Sequence, residues 1–153
     1  LYHDGISAKD LDSTEAKVLH VTPFNSYPSG ISIGISKKHE YINWANDKNG
    51  YIVEDNYDSE LTVSSKPEDS LFSMDNGERV IYMNTFSKTI SSSLRVGYMV
   101  LPQDMVESFN KKVGFYSCTV PVFEQYVLTE FLRSGEYERH INRIRRKKRK
   151  VHN

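Results

Sequence analysis

Residues 80–97 run Val80-Ile81-Tyr82-Met83-Asn84-Thr85-Phe86-Ser87-Lys88-Thr89-Ile90-Ser91-Ser92-Ser93-Leu94-Arg95-Val96-Gly97. The apolar run Val80 to Met83, closed by polar turn residues, predicts a buried strand. Lys88 then stands just past a strand end, where open α/β sheets place their ligands. Hydroxyls flank it at Thr85 and Ser87, and a fixed positive charge follows at Arg95.

Outward from this stretch, the same period recurs. Val18-Leu19-His20-Val21 predicts a strand ended by Thr22-Pro23, and Tyr51-Ile52-Val53 another that runs into Glu54-Asp55-Asn56-Tyr57-Asp58. Val96 to Leu101 predicts a fourth, ended by Pro102. Ser36 is the expected N-cap of a helix to about Lys48, with Tyr41, Ile42, Trp44 and Ala45 as its apolar stripe and Asn49-Gly50 as its stop. A polar connection is expected from about Ser64 to Glu78. Met105, Val106 and Phe109 give a short amphipathic helix. Pro121 opens the next, with Phe123, Tyr126, Val127, Phe131 and Leu132 inward and Gly135 at its end. The last helix starts near Glu136. There is no internal repeat.

This strand–helix alternation predicts an α/β fold, a mostly parallel sheet of about four strands with flanking helices. Tyr27, Asp55 and Lys88 each lie just past the C-terminal end of a different strand. If those strands are parallel neighbours, the three side chains converge on one crevice.

At 153 residues, 38% hydrophobic and 12% aromatic, the chain can bury one core. It begins Leu1-Tyr2-His3-Asp4-Gly5 without a Met, which suggests a fragment of a longer protein. No apolar run approaches a membrane span and no secretory signal is present. The one cysteine, Cys118, excludes an internal disulfide and suits a reducing cytoplasm; it is expected to pack as a small hydrophobe. The five histidines lack metal-ligand spacing, so no metal site is expected. Net charge is zero but uneven: seven of the eight residues from Arg143 to Lys150 are basic, leaving 13 basic against 20 acidic residues before them.

The residue set matches one cofactor chemistry. Pyridoxal phosphate needs a lysine for an internal aldimine, an acid against its ring nitrogen, a donor at its phenolic oxygen and a cradle for its phosphate. Lys88 can supply the amine, Asp55 the acid and Tyr57 the donor. Thr85, Ser87 and Arg95 can hold the phosphate, Arg95 in bidentate fashion. A lysine has a reference pKa near 10.4, so acting as a base at neutral pH requires a site that depresses it.

These segments resemble the fold-type I pyridoxal-phosphate aminotransferases, and within them the aminotransferase-like domain of MocR/GabR-type regulators of the GntR family. The resemblance rests on Thr22-Pro23-Phe24-Asn25-Ser26-Tyr27-Pro28-Ser29-Gly30, on Glu54 to Glu60, on Asn84 to Tyr98, and on Glu138-Arg139-His140-Ile141-Asn142-Arg143. Asn25-Ser26 stands where that family has His-Gln, Asn56 where it has a second Asp, Asn84 where it has Gly, and Ser92 where it has Pro.

The resemblance implies that Lys88 carries the aldimine, that Asp55 and Tyr57 meet the ring, and that Thr85, Ser87 and Arg95 bind the phosphate. It implies residues 1–135 as part of a pyridoxal-phosphate-binding large domain and 136–153 as a helix entering a small domain. It further implies a cytoplasmic homodimer that senses a small amino compound or amino acid through an external aldimine, with DNA bound by a winged helix-turn-helix outside these residues. A class I aminotransferase acting on an α-amino acid and a 2-oxo acid is the alternative; whether the complete protein transaminates stays open, and such activity is not expected of this chain. The basic tail has two readings, a solvated or interdomain face and a nucleic-acid contact.

Overall fold

The core of the molecule lies between one face of a four-stranded sheet and the helices that follow its first two strands. In chain order the elements are α1 (Ala8–Ser13), β1 (Val18–Val21), α2 (Ile35–Asp47), β2 (Tyr51–Asp55), a 3-10 turn (Ser59–Leu61), α3 (Leu71–Met74), β3 (Val80–Thr85), β4 (Gly97–Val100), α4 (Gln103–Val113), α5 (Val122–Arg133) and α6 (Glu136–His152). The computed structural model describes residues 4–57, 59–61 and 68–152. Asp58 and residues 64–67 of the expected polar connection therefore lie outside the described residues, and the remainder of that connection holds α3.

The strands are ordered β1-β2-β3-β4. β1, β2 and β3 are parallel, with Val21 opposite Glu54 and Asp55 opposite Met83. β4 runs antiparallel to β3, with Thr85 opposite Gly97. The link over residues 86–96 contains no helix, and a parallel return needs a crossover of a dozen or more residues. A sheet that is mostly parallel, with one reversed edge strand, is the result.

The covered face carries Val21, Ile52 and Val80, which pack with Tyr41, Ile42, Trp44 and Ala45 of α2 and with Leu71 of α3. Each such aliphatic burial is worth about 1.5–3 kcal/mol. The α2 stripe is buried as its spacing predicts, but the helix starts ahead of Ser36: Gly34 is the N-cap and makes no side-chain cap bond. Trp44 Nε1 donates to the Leu11 carbonyl at 3.0 Å, which hangs α1 on α2. After α2, Asn49 turns left-handed (φ 50°), and a Cβ on Gly50 would sit 2.8 Å from the Lys17 carbonyl oxygen.

Glu54 is fully buried on the same face. Its two carboxylate oxygens accept the Leu71 and Phe72 amides at 2.9 Å each, at the start of α3. Burial pushes its carboxyl pKa up, and those two amides pull the other way.

Two sequence expectations fail in the C-terminal third. Phe123, Tyr126, Val127 and Leu132 of α5 do not face inward; Phe123 is 77% and Tyr126 71% exposed. Only Phe131 of the expected set is half-buried, against Tyr137 and His140 of α6. An apolar pattern records what a helix can bury, and among the described residues α6 is the main element packed on α5. Cys118 is exposed too, because it falls in the open connection between α4 and α5. The basic tail is only partly solvated: Arg145 Nε donates to the Glu60 carbonyl at 2.7 Å and Lys148 Nζ to that of Leu61 at 3.3 Å. Among the described residues no helix is long and apolar enough to cross a membrane.

Candidate functional site

Parallel pairing puts the C-terminal ends of β1, β2 and β3 on one rim, and the reversed β4 begins there. Four segments meet at that rim: the turn after β1, residues 55–57, residues 85–88 and residues 95–97. β3 extends to Thr85, two residues past the predicted Met83, so Thr85 still belongs to the ladder and the loop proper begins at Phe86.

Lys88 is exposed on this rim, with its amine 5.9 Å from the centre of the Tyr57 ring. That contact joins the loops after β2 and β3, and at an exposed site it contributes about 0.5–1 kcal/mol. The Tyr57 hydroxyl donates to the Asn25 carbonyl at 2.8 Å, which joins the loop after β1 to the same assembly. The ring of Tyr57, rather than its hydroxyl, is therefore what faces Lys88.

Asp55 closes β2 on the open face of the sheet. His20, one strand away, stands diagonally across the register, its Nε2 3.6 Å from Asp55 Oδ2. Sequence reasoning missed this partner. The available signal was a polar residue at an otherwise apolar strand position, Val-Leu-His-Val.

Thr85 and Ser87 shape the loop that carries Lys88. Ser87 Oγ donates to the Leu94 carbonyl at 2.7 Å and Thr85 Oγ1 to the Val96 carbonyl at 3.1 Å. The Phe86 amide also reaches the Val96 carbonyl, at 2.9 Å. These bonds fold residues 85–96 back on themselves, which delivers exposed Arg95 to the rim that holds Lys88. Lys88 forms no ion pair with Asp55; what the two share is the rim. Tyr27 is on the turn after β1 and is almost wholly exposed.

The family model described as aminotransferase class I and II matches residues 6–152. The chain belongs to that family. Its relatives include the HTH-type transcriptional regulator YdeL of Bacillus subtilis, 35% identical over 97% of this chain and 33% of that protein. The probable rhizopine catabolism regulatory protein MocR of Rhizobium meliloti is 31% identical over 94% of this chain and 29% of its own length. Among solved structures, the kynurenine aminotransferase of Pyrococcus horikoshii, in complex with PMP, superposes with a TM-score of 0.79 at 31% identity, over 91% of this chain and 35% of that one. The chain thus spans about a third of the length of these relatives, and its fold is the fold-type I aminotransferase architecture.

The aminotransferase fold explains why Lys88 is found in an irregular loop. A loop at the carboxyl ends of parallel strands leaves its side chains open while the sheet fixes its two ends.

Proposed function

We propose that this chain is the pyridoxal-phosphate-binding part of an aminotransferase-like sensor domain in a GntR/MocR-type transcriptional regulator. The observation that carries the reading is the rim itself: an exposed lysine amine over the Tyr57 ring, with a carboxylate and a guanidinium on the same edge. That donor set fits the cofactor, an amine for its aldehyde, an acid for its ring nitrogen and a cation for its phosphate. The HTH-type regulators among the relatives support the regulatory half of the proposal.

When bound, pyridoxal phosphate supplies an aldehyde that condenses with amines and a ring that withdraws electrons from the attached carbon. Lys88 would hold the cofactor through its amine, and its Nζ could accept or return a proton. Asp55 would face the ring nitrogen and keep it protonated, with the His20 imidazole 3.6 Å from its carboxylate. Arg95 would neutralise the phosphate. The Thr85 and Ser87 hydroxyls bond carbonyls of their own loop, and rotation about χ1 would turn them to phosphate oxygens. Tyr57 would lie beside the cofactor ring and, after releasing Asn25, would donate to the phenolic oxygen.

Under this proposal residues 1–135 are part of the cofactor-binding large domain and 136–153 lead toward a small domain. The complete protein is a cytoplasmic homodimer that recognises a small amino compound and binds DNA through a separate domain. The second reading is a class I aminotransferase exchanging an amino group between an α-amino acid and a 2-oxo acid, favoured by the likeness to the kynurenine enzyme. Amino transfer to a 2-oxo acid by the complete protein would select it.

Borohydride reduction of the complete protein with pyridoxal phosphate, followed by peptide mass analysis, tests the cofactor assignment. The expected adduct is on Lys88 and is lost in Lys88→Ala. An adduct spread over surface lysines, unchanged by that substitution, would overturn it.

A further inference from the structure

The residue after the lysine is held from outside the loop. Thr89 is 2% exposed, although Lys88 beside it is open to solvent. His140 of α6 places Nε2 2.8 Å from the Thr89 carbonyl oxygen. A carbonyl only accepts, so Nε2 is the protonated nitrogen. One turn earlier on α6, the Tyr137 hydroxyl lies 3.3 Å from Thr89 Oγ1 and also bonds the Glu60 carboxylate. The Tyr137 ring packs edge-on to Phe86, with centroids 5.8 Å apart.

The same helix grips the segment after Tyr57. Arg145 Nε donates to the Glu60 carbonyl, and Tyr137 holds the Glu60 side chain. One rigid helix therefore fixes two loops whose side chains, Tyr57 and Lys88, face each other. Burial and the neighbouring carboxylate push the Tyr137 phenol up, so it stays a neutral donor through the physiological range.

We infer that Tyr137 and His140 are positioning residues for Lys88, setting its amine against the Tyr57 ring by clamping Thr89 at its hydroxyl and its carbonyl. This rests on the reading of Lys88 as the cofactor lysine and adds to it the residues that aim the amine. Neither touches the rim itself. Their effect is transmitted through one backbone unit, and a misplacement of about 1 Å at a reacting atom can cost on the order of a hundredfold in rate.

The test uses the complete protein and two readouts. His140→Leu removes the donor at similar bulk, His140→Gln returns an N–H at a comparable reach, and Tyr137→Phe removes only the hydroxyl. Glu138→Ala, on an exposed position of the same helix, is the control. The rate at which borohydride traps pyridoxal phosphate on Lys88 should fall roughly ten- to a hundredfold in His140→Leu, less in Tyr137→Phe, and return to near the parent rate in His140→Gln. In the cofactor-free protein, amide exchange over residues 86–90 should quicken in the same order, while Glu138→Ala stays at the parent value. Parent trapping rates in both His140→Leu and Tyr137→Phe overturn the inference while leaving the cofactor assignment intact. So does a His140→Gln variant as slow as His140→Leu. Should His140→Leu fail to fold, Tyr137→Phe, which keeps its ring contacts, decides alone. A parent protein that traps nothing on Lys88 defeats the functional reading, and this inference with it.

Discussion

α2 and α5 are nearly the same length and carry aromatic-rich apolar stripes, yet they end in opposite surroundings. Tyr41, Ile42, Trp44 and Ala45 of α2 are buried against the sheet. Phe123, Tyr126 and Val127 of α5 look into open space beside a groove shared with Ile90 and Leu94. The difference lies in the element to which each helix connects. α2 returns directly into β2, so the crossover presses it onto the sheet face that it covers together with α3. α5 returns into α6, a helix whose own inward side is engaged with Thr89 and Glu60. Spacing of apolar residues thus reports a capacity for burial, and within these residues, about a third of the length of the relatives, α2 uses that capacity and α5 does not.

The sharpest way to break the comparison is at Trp44. Trp44→Ala removes a 95% buried indole and its bond to the Leu11 carbonyl, and should lower unfolding free energy by about 3–5 kcal/mol in urea denaturation. A loss below about 1 kcal/mol would mean that α2 is no better seated than α5.

A smaller effect is expected at Glu54, which fastens α3 to the covered face. The folded protein raises this carboxyl above its ordinary value of 4.5, chiefly by burial. Between 4.5 and the raised value the folded state therefore holds more protons than the unfolded state, and stability from this group falls as pH rises through that window. Glu54→Gln should flatten that fall, and should cost about 1–3 kcal/mol at acidic pH, since an amide oxygen replaces only one of two acceptors for the Leu71 and Phe72 amides. An unchanged pH slope from 4.5 upward would show that Glu54 does not govern it.

The same contrast marks what could be read from residues alone. β1, the α2 stripe and the start of α6 follow from local period and stop signals, and so does the shared rim of Asp55 and Lys88, because parallel pairing aligns strand ends whatever the loops contain. The reversal of β4 was hidden, since an apolar run carries no direction and only the shortness of the 86–96 link reveals it. The His20–Asp55 pair and the grip of His140 on Thr89 were hidden for another reason. They join residues 35 and 51 positions apart through register and helix packing, which no local pattern encodes.

The smallest expected effect sharpens the contrast from the α5 side. Tyr126 has almost three-quarters of its surface in solvent, so Tyr126→Ser in this 153-residue chain should change unfolding free energy by no more than about 0.5 kcal/mol. Side-chain entropy and helix propensity nearly cancel at an exposed site, leaving little else to lose. The informative version pairs it with Phe131→Ala, further along the same helix, where the ring is half-buried and packs edge-on to Tyr137. That change should cost more, about 1–2 kcal/mol, because it removes an aromatic pair as well as area. Equal costs at the two positions would mean that α5 is seated by something other than its contact with α6, and that exposure of its outer face does not describe how the helix is held.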